Sequence, residues 1–145
     1  MSYKAQVIES LLGVKRAKFG VSPLALAYSV EAGFPVSALD KFAGELCPND
    51  VRRFTYRVVP KPTLERRRRD KKPLTAEESD RLARIAKVFA FAVEIFHDKE
   101  KAREFLSRPH MMLDSKVPLD VALATGPGAD VVMNLLGRAG YGGGV

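Results

Sequence analysis

The chain has 145 residues, of which 46% are apolar, and a formal net charge of +7. This length suits about one domain, or two small domains that share a core. No apolar run approaches the roughly 20 residues of a membrane-spanning helix, and the N-terminus lacks the apolar segment and cleavage site of a signal peptide. Cys47 is the only cysteine, so no intrachain disulfide can form and a cytoplasmic location is expected.

The positive charge is concentrated in one segment of the chain. Residues 52–72 contain ten lysines and arginines against two acidic residues, which leaves the rest of the chain with a net charge of −1. A field this localised favours a polyanion such as nucleic acid, or an acidic protein face, as a partner. The alternative is a charged surface that only water solvates.

Apolar residues at helical spacing predict short helices along the first part of the chain. They are expected at about residues 3–13, 23–32, 36–46 and 49–56, with glycines or prolines at the breaks. Pro60 and Pro62 predict a turn over residues 58–62, because two prolines there forbid a continuous helix. Thr63 is then expected to cap or open a short helix that ends at about Asp70.

A longer helix is predicted over about residues 75–97. Thr75 and Glu78 form a capping-box pattern, and a stripe of apolar residues at helical spacing follows them. Three more apolar residues widen the stripe to a second face: Val88, Phe91 and Ile95. Two apolar faces indicate either a dimer interface or a central helix that is buried on all sides.

The rest of the chain is also predicted to be helical, and no strand is indicated, so the predicted fold class is all-α. Helices are expected over residues 99–108 and 118–124, with a loop over residues 110–117 between them. The ATGPGA stretch is expected to end the second of these helices and to link it to the last one. That last helix is expected to end at Gly137 and to be anchored by Val131, Val132, Leu135 and Leu136.

No residue pattern indicates catalysis or metal binding. His97 and His110 lack neighbouring ligands at metal-site spacing, and Cys47 fits a small buried hydrophobe better than a nucleophile. The carboxylates of Glu77 and Glu78 are accounted for by the positive end of a helix dipole. The sequence also contains neither a nucleotide-binding loop nor a nucleophile elbow. It therefore predicts a protein that is not an enzyme and that needs no cofactor or metal.

Residues 51–69 are a helix-turn-helix candidate, because two short helices are joined there by a brief turn. The second helix, TLERRRR, would lie in the major groove of DNA. Four consecutive arginines cover every side of a helix, so at most about half of them can face DNA. The others must meet something else, such as an acidic surface. The residues expected nearest the bases or phosphates are Lys61, Thr63, Arg66, Arg67 and Arg69.

Three longer stretches taken together are more specific than any of these signals. They are VVPKPTLERR, LTAEESDRLARIAKVFAFAVEIFHDKEKAREFLSRPHMML and PLDVALATGPGADVVMNLLGRAGYGGGV. Over about residues 34–142 the chain resembles the Xre-type antitoxins that pair with RES-class toxins, the MbcA/ParS-like family. The resemblance is carried by E-S-D-R-L at residues 78–82, by the order of the elements and by the terminal R-x-x-Y-G.

The resemblance implies a domain organisation and a function. Together with the Lys71-Lys72-Pro73 stretch, which is the expected boundary between two subdomains, it implies a helix-turn-helix-like DNA-binding part (34–73) and a toxin-binding part with a C-terminal tail (74–145). An N-terminal helical arm (1–33) is expected to precede them. Antitoxins of this family neutralise a toxin that consumes NAD, either by degrading it or by ADP-ribosylating a target protein. They commonly repress their own operon, and they tend to dimerise. In related complexes the C-terminal end reaches the active-site cleft of the toxin, which implies Leu135, Arg138, Tyr141 and Gly142 as toxin contacts.

The sequence departs from the family at two points. Pro62 stands where the family usually has an arginine before T-L, which removes one expected DNA contact. The ending GRAGYGGGV is unusually rich in glycine, and we expect it to be mobile in the free protein and ordered by the toxin. Two alternatives stay open: a frayed terminus without a function, and a free-standing helix-turn-helix regulator that has no enzyme partner.

Overall fold

The computed structural model describes residues 2–13 and 23–141, and in these ranges every regular element is a helix. The all-α prediction is therefore confirmed. The isolated bridge between His110 and Lys116 is the one strand-like pairing in the described part of the chain. The elements are α1 (Ser2–Leu12), α2 (Pro23–Ala32), α3 (Val36–Leu46), α4 (Val51–Val58), α5 (Lys61–Asp70), α6 (Ala76–Phe96), α7 (Lys99–Ser107), a 3-10 turn (Met111–Leu113), α8 (Pro118–Ala124) and α9 (Gly126–Tyr141).

The chain divides into two compact units, Met1–Ala86 and Lys87–Val145. The division lies inside α6, whereas the boundary expected from the sequence, at Pro73, lies in the exposed link between α5 and α6. The first half of α6 packs with the N-terminal unit because Ser79, Leu82 and Ile85 are fully buried there.

The N-terminal unit is built on α3, which packs against α1 and α4. The rings of Phe42 on α3 and Phe54 on α4 meet edge to face with centroids 5.7 Å apart, a favoured aromatic geometry. Other large side chains of this unit that are almost completely buried are Leu12, Phe34, Leu39, Leu64, Leu74, Leu82 and Ile85.

Gly33 allows the chain to turn sharply between α2 and α3. Its φ is +91°, a left-handed conformation that side chains rarely adopt, and a Cβ there would collide with the carbonyl oxygen of Leu74. The next residue, Phe34, accepts a 2.9 Å hydrogen bond at its carbonyl from the Leu74 N–H and donates one of 2.9 Å from its own N–H to the Ser79 hydroxyl. Glycine is therefore required where the start of α3 meets the start of α6.

The structure corrects the expected bounds of two helices. Helix α4 begins at Val51, after Asp50 accepts a hydrogen bond from the Arg53 N–H, and it continues to Val58, two residues beyond the prediction. Helix α5 begins at Lys61, so neither a turn over residues 58–62 nor a cap at Thr63 is present. The prediction was wrong because Pro62 lies in the first turn of the helix, where a missing N–H costs no helical hydrogen bond.

In the C-terminal unit, α8 packs against both α7 and α9. The expected link at ATGPGA is a single residue, Thr125, because α9 already begins at Gly126. The Thr125 hydroxyl accepts a 2.9 Å hydrogen bond from the Gly128 N–H and so caps the helix. Gly128 itself lets the helix start close to α8, since a Cβ there would collide with the Val121 carbonyl.

Helix α9 is longer than predicted, because it continues past Gly137 to Tyr141. Gly140 lies so close to the Ile95 side chain that a Cβ would collide with it, so the glycine allows this part of the helix to pack. One expected anchor of α9 is also wrong, since Val131 is 47% exposed. Val132, Leu135 and Leu136, three to four residues apart, share the buried face, and Val131 lies beside it. Residues 142–145 lie outside the described part of the chain.

Candidate functional site

Helices α4 and α5 form a tight helix-turn-helix. Only Val59 and Pro60 separate them. The Val59 N–H donates a 3.0 Å hydrogen bond to the Thr55 carbonyl at the end of α4, and the Leu64 N–H donates one of 2.9 Å to the Pro60 carbonyl, which is the first helical bond of α5. Val58, Val59 and Leu64 are buried and fix the turn to the core.

The basic helix α5 has an inner and an outer face. Leu64 is buried, and residues three and four positions further along, Arg67 and Arg68, lie on the same side of the helix. Arg66 and Arg69 are three residues apart and exposed on the opposite side, where Arg69 lies 3.4 Å from its neighbour Asp70. This outer side begins with Pro62, which is also exposed. Arg68 on the inner side is also 44% exposed, so its side differs by its ion-pair partner and not by burial.

The two inner arginines are paired within the protein. The Arg67 guanidinium donates a hydrogen bond to Oε1 of Glu78, and the two side chains are only 15% and 13% exposed. Arg68 donates two hydrogen bonds, of 2.6 and 2.8 Å, to the two carboxylate oxygens of Asp40 on α3. These hydrogen bonds raise the pKa of the Arg68 guanidinium, although partial burial lowers it.

The residues expected to contact DNA therefore fall into two groups. Lys61, Arg66 and Arg69 are exposed, and Thr63 is half-buried. Arg67 is held by Glu78 instead of being presented to solvent. The exposed residues Arg52 and Arg53 add positive charge on α4, as the basic composition of the segment indicated.

Three residues in the first turns of α6, Glu78, Ser79 and Arg81, anchor the helix-turn-helix and the start of α3. Glu78 forms the predicted capping box with Thr75: its N–H donates to the Thr75 hydroxyl at 3.1 Å, and its carboxylate accepts from the Thr75 N–H at 2.9 Å. The Ser79 hydroxyl accepts from the Phe34 N–H, and the Arg81 guanidinium donates a 2.9 Å hydrogen bond to the Val58 carbonyl at the end of α4. The E-S-D-R stretch is thus a set of structural contacts. Sequence spacing revealed only the capping box, because the partners in the other three contacts are 11 to 45 residues apart.

The residues expected to contact a toxin differ in their exposure within the C-terminal unit. Arg138 is exposed in the last turn of α9 and has no ion-pair partner among the described residues. Leu135 is buried, so it supports α9 from inside. Tyr141 is the last residue of α9, and Gly142 lies outside the described ranges.

Of the three residues expected at a dimer interface, Val88 is buried, and Phe91 and Ile95 are half-buried. Ile95 also packs against α9 at Gly140. The second apolar face of α6 is therefore largely used within the molecule, which favours the buried-helix alternative for Val88.

The described residues contain no cluster of three or more potential metal ligands. His110 instead accepts a hydrogen bond at Nδ1 from the Met112 N–H, and its ring lies 5.7 Å from that of Phe105. Cys47 is half-buried at the end of α3 rather than buried as expected. Within the part of the chain that the structure describes, no helix is long and apolar enough to cross a membrane.

The two units differ in net charge, and the whole excess of positive charge lies in the first. Met1–Ala86 contains 17 lysines and arginines against 10 acidic residues, a net charge of +7. Lys87–Val145 contains 7 of each and is neutral. A basic helix-turn-helix unit is thus followed by a neutral helical unit.

This arrangement defines a helix-turn-helix protein with a second helical domain. Residues 25–87 match the antitoxin Xre-like helix-turn-helix domain, and residues 91–142 match the antitoxin Xre/MbcA/ParS C-terminal toxin-binding domain. The two matches meet close to the division between the compact units.

Full-length relatives agree with these domain matches. The chain is 35% identical to an antitoxin Xre of Photorhabdus laumondii over 113 residues, which are 76% of this chain and 74% of the relative. It is 35% identical to an antitoxin Xre of Yersinia enterocolitica over 120 residues, 81% of this chain and 79% of the relative. A third, from Pseudomonas putida, is 35% identical over 79 residues, 54% of this chain and 49% of the relative. The chain belongs to the Xre family of antitoxins.

Proposed function

We propose that this chain is the antitoxin of a type II toxin–antitoxin pair that neutralises a RES-class, NAD-consuming toxin and represses its own operon. It acts in the cytoplasm, where both the operator DNA and the toxin's substrate are found. The observation that carries the proposal is that the compact units and the domain matches both divide near residue 87, and that the basic segment 52–72 lies wholly in the first unit.

The N-terminal unit binds operator DNA through the outer face of α5. Arg66 and Arg69 meet phosphates or base edges, and Lys61 adds charge at the start of the helix. Base edges are usually read by the first residues of a recognition helix, and Pro62 offers no side-chain donor there. The proposed binding is therefore strongly salt-dependent and only modestly sequence-specific.

The C-terminal unit blocks the toxin with the end of α9 and the glycine-rich residues that follow it. Val132, Leu135 and Leu136 anchor the helix to its own unit, so its last turn has a fixed base. Arg138 offers a planar, permanently charged group that can pair with a carboxylate or with groups that normally surround a dinucleotide phosphate. Tyr141 and Gly142 extend this probe into the cleft.

The test is coexpression of the tagged chain with the product of the adjacent reading frame, followed by affinity purification. We expect a stable complex, and we expect the purified partner's NAD consumption, followed by chromatography of NAD and its products, to stop when one equivalent of the chain is added. Operator binding without any copurifying partner would instead establish the free-standing regulator.

We also propose that the chain assembles as a homodimer within the complex through the half-buried residues Phe91 and Ile95. Phe91→Glu should then halve the mass measured by light scattering while the helical circular dichroism is retained. A wild-type protein that is monomeric both free and with toxin rejects the dimer. Loss of the dichroism in the variant would assign Phe91 to the core.

A further inference from the structure

The four consecutive arginines of α5 carry two different tasks. We propose that Glu78 is a positioning residue for DNA binding: through Arg67 it fixes the rotation of α5, so that Arg66 and Arg69 face the nucleic acid. This inference rests on the proposed DNA binding of the N-terminal unit. It divides the arginine run into two inner residues that hold the helix and two outer residues that contact DNA.

The inner contacts hold α5 from both sides. Arg67 reaches Glu78 at the start of α6, and Arg68 reaches Asp40 on α3, so the helix is tied to two neighbouring elements. The buried Leu64 lies between these ties. A rotation of α5 about its axis would break both ion pairs and would expose Leu64.

Glu78 is suited to this task because it is itself fixed. One carboxylate oxygen, Oε1, accepts hydrogen bonds from the Thr75 N–H and from Arg67, and the side chain is only 13% exposed. The neighbouring Glu77 is a natural control, because its side chain is 86% exposed and lies 3.7 Å from Arg81. Both glutamates carry one negative charge close to the basic surface.

The pairing of Glu78 with Arg67 predicts a change in DNA affinity opposite to the one expected from net charge alone. Removing an acidic charge near a DNA-binding surface ordinarily strengthens binding, because the net positive field rises. Glu78→Gln keeps a capping-box residue at the start of α6 and should therefore fold. Because it replaces the ion pair with Arg67 by a neutral contact, we expect it to weaken DNA binding about tenfold, the lower end of the effect of losing a charge-assisted hydrogen bond. Glu77→Gln should leave binding unchanged or strengthen it.

The salt dependence separates positioning from direct contact. Removing one contact to a phosphate lowers the slope of log K against log salt by about 0.9. Arg66→Ala and Arg69→Ala should each lower the slope by about that amount, whereas Arg67→Ala should weaken binding with the slope unchanged. Arg67→Ala combined with Glu78→Gln should be no weaker than Arg67→Ala alone, because both changes remove one interaction.

The experiment measures binding by fluorescence anisotropy over a salt series. The probe is a duplex carrying the region immediately upstream of this chain's coding sequence, and a random duplex of equal length is the reference. Circular dichroism melts of every variant ensure that only folded protein is compared. Weakened binding by Glu78→Gln with an unchanged slope supports the proposal.

Two results would overturn it. One is a Glu78→Gln variant that binds as well as, or more tightly than, the wild type. The other is an Arg67→Ala variant whose slope falls as far as that of Arg66→Ala, which would make Arg67 a phosphate contact. If the wild type binds neither duplex, the proposed DNA binding fails as well, so the two failures are distinguishable.

Discussion

The two units of this protein are both helical, but they use charge differently. The N-terminal unit carries the whole net charge of +7, and its buried polar contacts join distant parts of the chain, as in Phe34 to Ser79. The C-terminal unit is neutral, and ion pairs such as Arg103 to Glu100 and Arg108 to Glu104 join residues three or four positions apart. In the N-terminal unit, Arg67 and Arg68 of the basic helix pair with acidic residues 11 and 28 positions away, which offsets part of the repulsion between like charges.

The largest expected effect comes from a substitution that unfolds the N-terminal unit and leaves the C-terminal unit folded. Phe54→Ala removes a fully buried ring that meets Phe42, which should cost about 3–5 kcal/mol of stability. We expect DNA binding to disappear, while residues 87–145 still inhibit the toxin. Chemical denaturation and the NAD assay measure the two effects, and a variant that loses both activities together would show that the units do not function separately.

A second change acts on the joint between α3 and α6. Gly33→Ala imposes a side chain at φ +91° and against the Leu74 carbonyl, so we expect a loss of about 1–3 kcal/mol. Gly44→Ala is the matched control, because nothing lies within 4 Å of a Cβ there. Thermal denaturation of the two variants distinguishes the requirement for glycine at this joint from a general effect of alanine. Equal melting temperatures for Gly33→Ala and Gly44→Ala would contradict the requirement for glycine at residue 33.

A third change addresses only the C-terminal unit. Deleting residues 141–145 should weaken toxin inhibition by about 2 kcal/mol or roughly 30-fold, the size of an interface hot spot, because the residues that enter the cleft are removed. Arg138→Ala should reproduce part of this loss. DNA affinity and the dichroism spectrum should stay as in the wild type. A truncated chain that inhibits normally would show the C-terminal end to be a frayed terminus.

The smallest effect concerns the start of α9. Thr125→Ala removes the hydroxyl that caps this helix at Gly128, which should cost about 1 kcal/mol. Thr125→Ser keeps the hydroxyl and should restore stability. Hydrogen exchange of the first α9 amides is the sensitive measurement. If exchange is faster in the N-terminal unit as well, the effect is not confined to the C-terminal unit.

Most helix bounds followed from local signals. The capping box at Thr75, the proline at the start of α2 and the glycine after it each act within a few residues, so the sequence specified them directly. The misplaced bounds are also instructive. Pro62 and Gly126 are residue types that usually indicate a break, yet each lies in the first turn of a helix, where the missing hydrogen bond or side chain costs little.

The candidate site divides in the same way. Composition determined that residues 52–72 are basic, and helical spacing determined that the arginines of α5 cannot all face one side. Which two face inwards depended on Asp40 and Glu78, which are 28 and 11 residues from their partners. No local pattern identifies such acceptors.

By itself the sequence determined the helical class, the localisation of charge and the resemblance to an antitoxin family, because these properties depend on composition, periodicity and order along the chain. Only the tertiary structure decided the roles within them: Arg67 and Arg68 pair with Glu78 and Asp40, Arg66 and Arg69 lie on the opposite face, and α9 continues to Tyr141 with Gly140 against Ile95. The physical reason is that a charged or flexible residue has no fixed role until folding decides which groups from other helices lie within hydrogen-bonding or packing distance of it.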